Sequence, residues 1–159
     1  MSYSANLFQI TQLAVKAEKA GDKFYRHLAA KQPDGQVRKI LSFFAQQEQE
    51  HAEFFQGIAD ETQGRDSEHS FPIDVIRLMK EGIEQIEKGG WTENITPGQP
   101  INLKTALEIA WEIEQQTIRI YTALQNALDE KHNVTIYKII NEESKHAQMI
   151  KNVMQQAHL

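Results

Sequence analysis

The sequence predicts an all-α protein, an antiparallel four-helix bundle with one long crossover connection between its second and third helices. Apolar residues recur at steps of three and four along four long stretches of the chain, which is the period of an amphipathic helix. Glycine and proline are sparse, with 8 and 4 in 159 residues, and they cluster where these stretches end. We expect one domain to span residues 1–159.

The helices are expected to form two hairpins, about residues 4–60 and 102–156, joined by a crossover over about 61–101. Pro33 and Gly35 interrupt the first hairpin, and Asn102 is the expected N-cap of the third long helix. The crossover contains a shorter amphipathic helix. The expected helices cover about residues 4–30, 36–60, 73–88, 103–128 and 134–156, with a turn over 129–133.

Composition excludes several classes of protein and of site. The net charge of -5 gives no broad basic surface, so nucleic acid is not an expected partner. No run of 18 apolar residues and no signal-peptide pattern occur, so we expect a soluble, cytoplasmic protein without a membrane partner. The chain has no cysteine, so any metal must be held by oxygen and nitrogen ligands.

An internal repeat relates the two hairpins. Glu18 aligns with Glu114 and Tyr25 with Tyr121 at an offset of 96 residues. After the turns, Glu48 and His51 align with Glu143 and His146 at an offset of 95, so the two turns differ by one residue. These matches fall on polar residues, which a repeat of packing positions alone has no reason to retain.

Each of the four repeated glutamates lies in the middle of the apolar stripe of its helix. Burying one carboxylate costs several kcal/mol, so a buried group of four requires cations or protons. Two Glu-x-x-His pairs occur, whereas fewer than one is expected by chance from 16 glutamates and 6 histidines. Residues three apart project from one face of a helix and can chelate together. The predicted metal ligands are Glu18, Glu48, His51, Glu114, Glu143 and His146.

One glutamate from each of two helices and Glu-x-x-His from each of the other two is the arrangement of ferritin-like carboxylate sites. The sequence resembles the rubrerythrin branch of that superfamily. The residues that carry the likeness are Ala17–Tyr25, Glu48–Ala52, Glu114–Tyr121 and Glu143–Ala147.

The resemblance implies a di-iron centre that reacts with oxygen or peroxide, or oxidises ferrous iron. By that likeness Glu48 and Glu143 would bridge the metals, Glu18 and Glu114 would be terminal ligands, and each histidine would bind one ion. Two features depart from rubrerythrins: the cysteine-ligated electron-transfer domain is missing, so an external electron donor protein is required, and Thr117 replaces an additional carboxylate ligand.

The residues also suggest finer features of the site. Four carboxylates and two neutral imidazoles match the charge of two divalent cations, and these ligands suit iron or manganese. Tyr25 and Tyr121 could hydrogen-bond to ligand carboxylates or simply fill the core. Gly21 and Thr117 are small and could leave room for oxygen or peroxide.

The leading functional prediction is an oxidoreductase with H₂O₂, O₂ or Fe(II) as substrate, acting against oxidative stress. The alternatives are an iron-binding or storage protein, a dimanganese catalase-like enzyme, and a partner-binding bundle with a vestigial site. A homodimer is expected because bundles of this type commonly associate.

Overall fold

The computed structural model describes residues 5–65, 70–71, 73–87, 103–126, 128 and 130–158 of the chain. These residues belong to two compact units, which cover residues 1–88 and 89–159. Each unit contains two long helices that are neighbours in the sequence. None of the helices in these described ranges has the length and apolarity that a membrane span requires.

Unit 1 is built around a hairpin of two long helices. Its elements are β1 (Ala5–Asn6), α1 (Leu7–Ala30), α2 (Gly35–Thr62), β2 (Ser70–Phe71) and α3 (Ile73–Glu87). The helices α1 and α2 pack along their lengths through fully buried side chains such as Phe24, Leu28 and Phe44. The short turn between them makes this pair antiparallel.

Side-chain caps define where both long helices of unit 1 begin. Asn6 accepts a hydrogen bond from the backbone N–H of Gln9 at 2.9 Å, and the Gln9 side chain accepts one from the Asn6 backbone N–H at 3.0 Å. Asp34 accepts from Gln36 N at 2.7 Å and from Val37 N at 3.0 Å. The N–H groups of Val37 and Gln36 lower the pKa of Asp34. The caps satisfy backbone donors that have no partner inside the helix.

The chain after α2 returns to the start of α1. Strand β2 pairs with β1 in antiparallel register, with Ala5 opposite Phe71 and Asn6 opposite Ser70. Helix α3 then packs on α1, with Ile76, Met79 and Ile83 on its buried side. The expected short helix of the crossover is therefore confirmed, whereas the strand pair was not expected from the sequence.

Unit 2 contains the second helical hairpin. Its elements are α4 (Leu103–Gln125) and α5 (Glu130–Gln156). Helix α5 starts four residues earlier than the sequence predicts, because Glu130 to Asn133 form its first turn rather than a connecting turn. The predicted N-cap Asn102 lies outside the described residues. Apolar side chains of both helices, including Ala110, Leu124 and Ile136, are fully buried.

Candidate metal centre

Unit 1 brings three of the predicted ligands together in its interior. Glu18 on α1 and Glu48 and His51 on α2 are 1%, 6% and 3% exposed, respectively. Each offers one ligand atom, and these atoms lie within 4.8 Å of one another. His51 Nδ1 is 3.5 Å from Glu18 Oε2. We call these three residues the first half-site.

Helical spacing explains how α2 presents two of these ligands. Glu48 and His51 are three residues apart, so their side chains leave the same face of the helix. Leu41, Phe44 and Phe55 continue this face above and below the pair, and all three are at most 1% exposed. The face that carries the ligands is therefore the same one that forms the apolar core of unit 1.

Unit 2 repeats the arrangement with Glu114 on α4 and Glu143 and His146 on α5. These side chains are at most 2% exposed, and their candidate ligand atoms also lie within 4.8 Å of one another. His146 Nδ1 is 3.1 Å from Glu143 Oε2 and 3.6 Å from Glu114 Oε1. We call these residues the second half-site. The internal repeat of the sequence thus corresponds to two half-sites with the same composition.

The electrostatics of the second half-site disfavour a full set of charged carboxylates. Burial, together with the neighbouring Glu143 carboxylate, raises the pKa of Glu114 to about 8, although His146 acts in the opposite direction. In the absence of a cation, Glu114 therefore keeps its proton at neutral pH. A divalent cation would replace this proton, since a metal ligand must be deprotonated.

Every lysine and arginine among the described residues has an exposed side chain. Among the described residues, the buried acidic and histidine side chains are the four glutamates and two histidines of the half-sites. Hard oxygen donors with imidazole nitrogens fit divalent iron or manganese. With neutral imidazoles and both carboxylates ionised, each half-site would carry a formal charge of about -2, which equals the charge that one divalent ion neutralises.

The two repeated tyrosines lie inside the protein. Tyr25 and Tyr121 are each 1% exposed. The Tyr25 ring makes edge contacts with Phe24 and Phe44, with ring centroids 5.2 and 5.3 Å apart. The Tyr25 ring is therefore part of the core, and hydrogen bonding of both hydroxyls to ligand carboxylates stays a prediction.

One position differs from the sequence expectation. A Cβ atom built at Gly21 would lie 2.7 Å from Glu48 Oε2, so the carboxylate of Glu48 already fills the space beside this glycine. The expectation that Gly21 leaves room for oxygen or peroxide is therefore wrong, because a ligand side chain lies there. A glycine in the interior of a helix was the available signal of such a close approach.

Comparison with known proteins identifies the family. A model of the ferritin-like domain matches residues 6–156 of the chain. The chain belongs to the ferritin-like domain family. The match covers both half-sites and both helical hairpins of this ferritin-like chain.

A solved structure supports the same fold. The chain is similar to a protein from Thermotoga maritima described as a ferritin-like diiron-carboxylate protein, with a TM-score of 0.73 and 21% sequence identity over 99% of each chain. At this identity the likeness shows the fold alone. It confirms the predicted all-α, ferritin-like bundle with its crossover between the second and third long helices. A search of curated proteins found no match.

Proposed function

We propose that the two half-sites serve one dinuclear metal centre and that the protein is a non-haem di-iron oxidoreductase of the rubrerythrin type. The observation that carries the proposal is the burial of four glutamates and two histidines. All lysines and arginines among the described residues are exposed. Two divalent cations would neutralise the four glutamates. Membership of the ferritin-like family supports a shared centre.

The six side chains would have different roles as metal ligands. By the likeness to rubrerythrins, Glu48 and Glu143 would each hold both ions, and Glu18 and Glu114 would each hold one ion. His51 and His146 would supply one neutral nitrogen each. The close approach of Glu143 and His146 on one turn of α5 supports chelation from this helix. Tyr25 and Tyr121 would donate hydrogen bonds that orient the ligand carboxylates.

The chemistry follows from the charge of the site and its exclusion from solvent. Bound ferrous ions would supply the two electrons that convert one H₂O₂ and two protons into two waters. The protein holds the ligand carboxylates in its buried core, where they are shielded from bulk water. An electron donor protein would restore the ferrous state.

Two other functions use the same residues. A dimanganese catalase would bind manganese through the same oxygen and nitrogen donors and would need no external reductant. An iron-storage protein would take up iron through this centre and retain more than two ions per chain. These functions are distinguished by the metal that is bound, by the need for a reductant and by the iron content.

The test is metal uptake followed by reaction with peroxide. The metal-free protein is titrated anaerobically with Fe(II) and separately with Mn(II), and bound metal is measured after gel filtration. We expect two Fe(II) per chain. We also expect near-ultraviolet absorption that develops with H₂O₂, bleaches with dithionite and returns with further H₂O₂. Consumption of H₂O₂ should stop when the reductant is exhausted.

A matched pair of variants tests the assignment of the ligands. Glu48→Gln should lose metal, whereas Glu50→Gln, at an exposed position of the same helix, should bind as the wild type does. Peroxide turnover by the manganese form without reductant would move the assignment to a catalase. A folded wild-type protein that binds neither metal would refute a metal centre altogether.

A further inference from the structure

The nearest neighbour of Gly21 is the side chain of Glu48. The three nearest atoms to a Cβ built at Gly21 are Glu48 Oε2, Cδ and Cγ, at 2.7, 3.3 and 3.4 Å. Real Cβ atoms essentially never lie as close as the first of these distances. Glu48 therefore occupies space that any other residue at position 21 would take.

The same contacts show what the glycine does not do. A glycine that allowed two helices to approach would have backbone or rigid side-chain atoms of α2 as its nearest neighbours. Instead, the nearest atoms belong to the outer part of a flexible glutamate side chain. An added methyl group would move the Glu48 carboxylate and leave the packing of α1 against α2 in place.

The repeat shows that this feature belongs to one half-site. The position equivalent to Gly21 in the second hairpin is Thr117, which carries a branched side chain. The carboxylate of Glu48 lies beside Gly21 of α1, which has no side chain. The equivalent residue of α4, Thr117, has one. The two carboxylates that occupy equivalent places in the repeat, Glu48 and Glu143, therefore belong to hairpins that differ at this position.

We infer that Gly21 is a positioning residue, which sets the place of the Glu48 carboxylate as a metal ligand and makes the two half-sites inequivalent. The inference rests on the proposed metal centre. Gly21 does not itself bind an ion; it acts through the location of Glu48. A glycine at this place weakens the helix relative to alanine, so its role is to position a ligand rather than to stabilise the fold.

Gly57 provides a matched control. It also lies inside a long helix, at an exposed position of α2, and a Cβ built there meets no atom within 4 Å. Gly21→Ala and Gly57→Ala therefore make the same chemical change with the same gain in helix propensity. The two positions differ in burial and in whether the new methyl group meets a proposed ligand.

The experiment measures metal affinity and thermal stability for the full-length wild type, Gly21→Ala, Gly57→Ala and Glu48→Gln. Fe(II) is titrated calorimetrically under nitrogen, and metal-free samples are melted by circular dichroism. We expect Gly21→Ala to bind Fe(II) about 10- to 100-fold more weakly at one or both ions. Its metal-free melting temperature should equal or exceed that of the wild type. Gly57→Ala should melt higher and bind Fe(II) normally.

The alternative outcomes refute distinct statements. Normal Fe(II) binding by Gly21→Ala, with weak binding by Glu48→Gln, would overturn the positioning role and leave the metal centre intact. A large fall in the melting temperature of metal-free Gly21→Ala would also overturn it, because the methyl group would then disturb helix packing. Failure of the wild type to bind Fe(II) or Mn(II) would overturn the proposed function and this inference with it.

Discussion

Replacing Glu114 by glutamine is expected to change how the stability of the metal-free protein depends on pH. Glu114 is 2% exposed, and its pKa in the folded chain is about 8, against an ordinary value of 4.5. Between these values the unfolded chain has lost the proton that the folded chain still holds. The free energy of unfolding therefore falls as pH rises, by about 1.4 kcal/mol per pH unit from this group alone.

The size of the effect makes it measurable. Between pH 5 and pH 8 the contribution of Glu114 amounts to roughly 3–5 kcal/mol, a large part of the stability of a domain. Below the ordinary carboxyl pKa both states are protonated, so the contribution disappears. Glutamine cannot ionise, so Glu114→Gln should be more stable than the wild type at pH 8. It should be equal or slightly less stable at pH 5, where the buried amide needs a partner.

Urea denaturation with a chelator present, at half-unit steps from pH 5 to pH 8, measures this difference. Glu112→Gln is the control, because Glu112 is an exposed neighbour on the same helix. We expect the wild type and Glu112→Gln to lose stability steeply with pH and Glu114→Gln to lose it less steeply. An unchanged slope in Glu114→Gln would show that Glu114 does not carry the buried proton, and the electrostatic argument for the second half-site would be wrong.

Three further predictions concern packing, capping and metal binding. Phe44→Ala should cost about 3–5 kcal/mol in the free energy of unfolding, because Phe44 is fully buried. Phe43→Ala should lower the free energy of unfolding much less, because the Phe43 side chain is 51% exposed. If urea denaturation showed similar losses for both variants, the assignment of Phe44 to the buried face of α2 would be wrong. Asp34→Ala should lower the free energy of unfolding by about 1 kcal/mol, because it removes the N-cap of α2. An unchanged free energy of unfolding would show that the cap is absent in solution. Fe(II) at 100 times its dissociation constant should add about 2.7 kcal/mol to the free energy of unfolding, and a chelator should reverse this. An unchanged melting temperature would contradict binding to the folded state.

The candidate ligands could be predicted because they are charged residues at positions where the helical pattern predicts buried apolar ones. Carboxylates on apolar helical faces are costly, and their recurrence at equivalent repeat positions made packing an inadequate explanation. The structure buries all six predicted residues and groups them three by three. The metal itself, its identity and the reaction remain predictions, since no rule of sequence distinguishes iron from manganese in this donor set.

Other features had weaker signals in the sequence. The first turn of α5 has no apolar face, because Glu130 to Asn133 are all polar, so periodicity could not show that it is helical. The β1–β2 pair spans two residues a strand, too short for alternation to appear. The role of Gly21 depends on which rotamer Glu48 adopts against the neighbouring helix. A tertiary contact of this kind cannot be read from the sequence, where the only sign of it is a glycine in the middle of a helix.

The packing of each long helix on its neighbour in sequence has a consequence for biosynthesis. Contacts between sequence neighbours form with little loop-closure entropy, so each hairpin can collapse rapidly. Translation proceeds from the N-terminus, and domains fold in that order. The nascent polypeptide can therefore assemble Glu18, Glu48 and His51 before the ribosome has produced their counterparts.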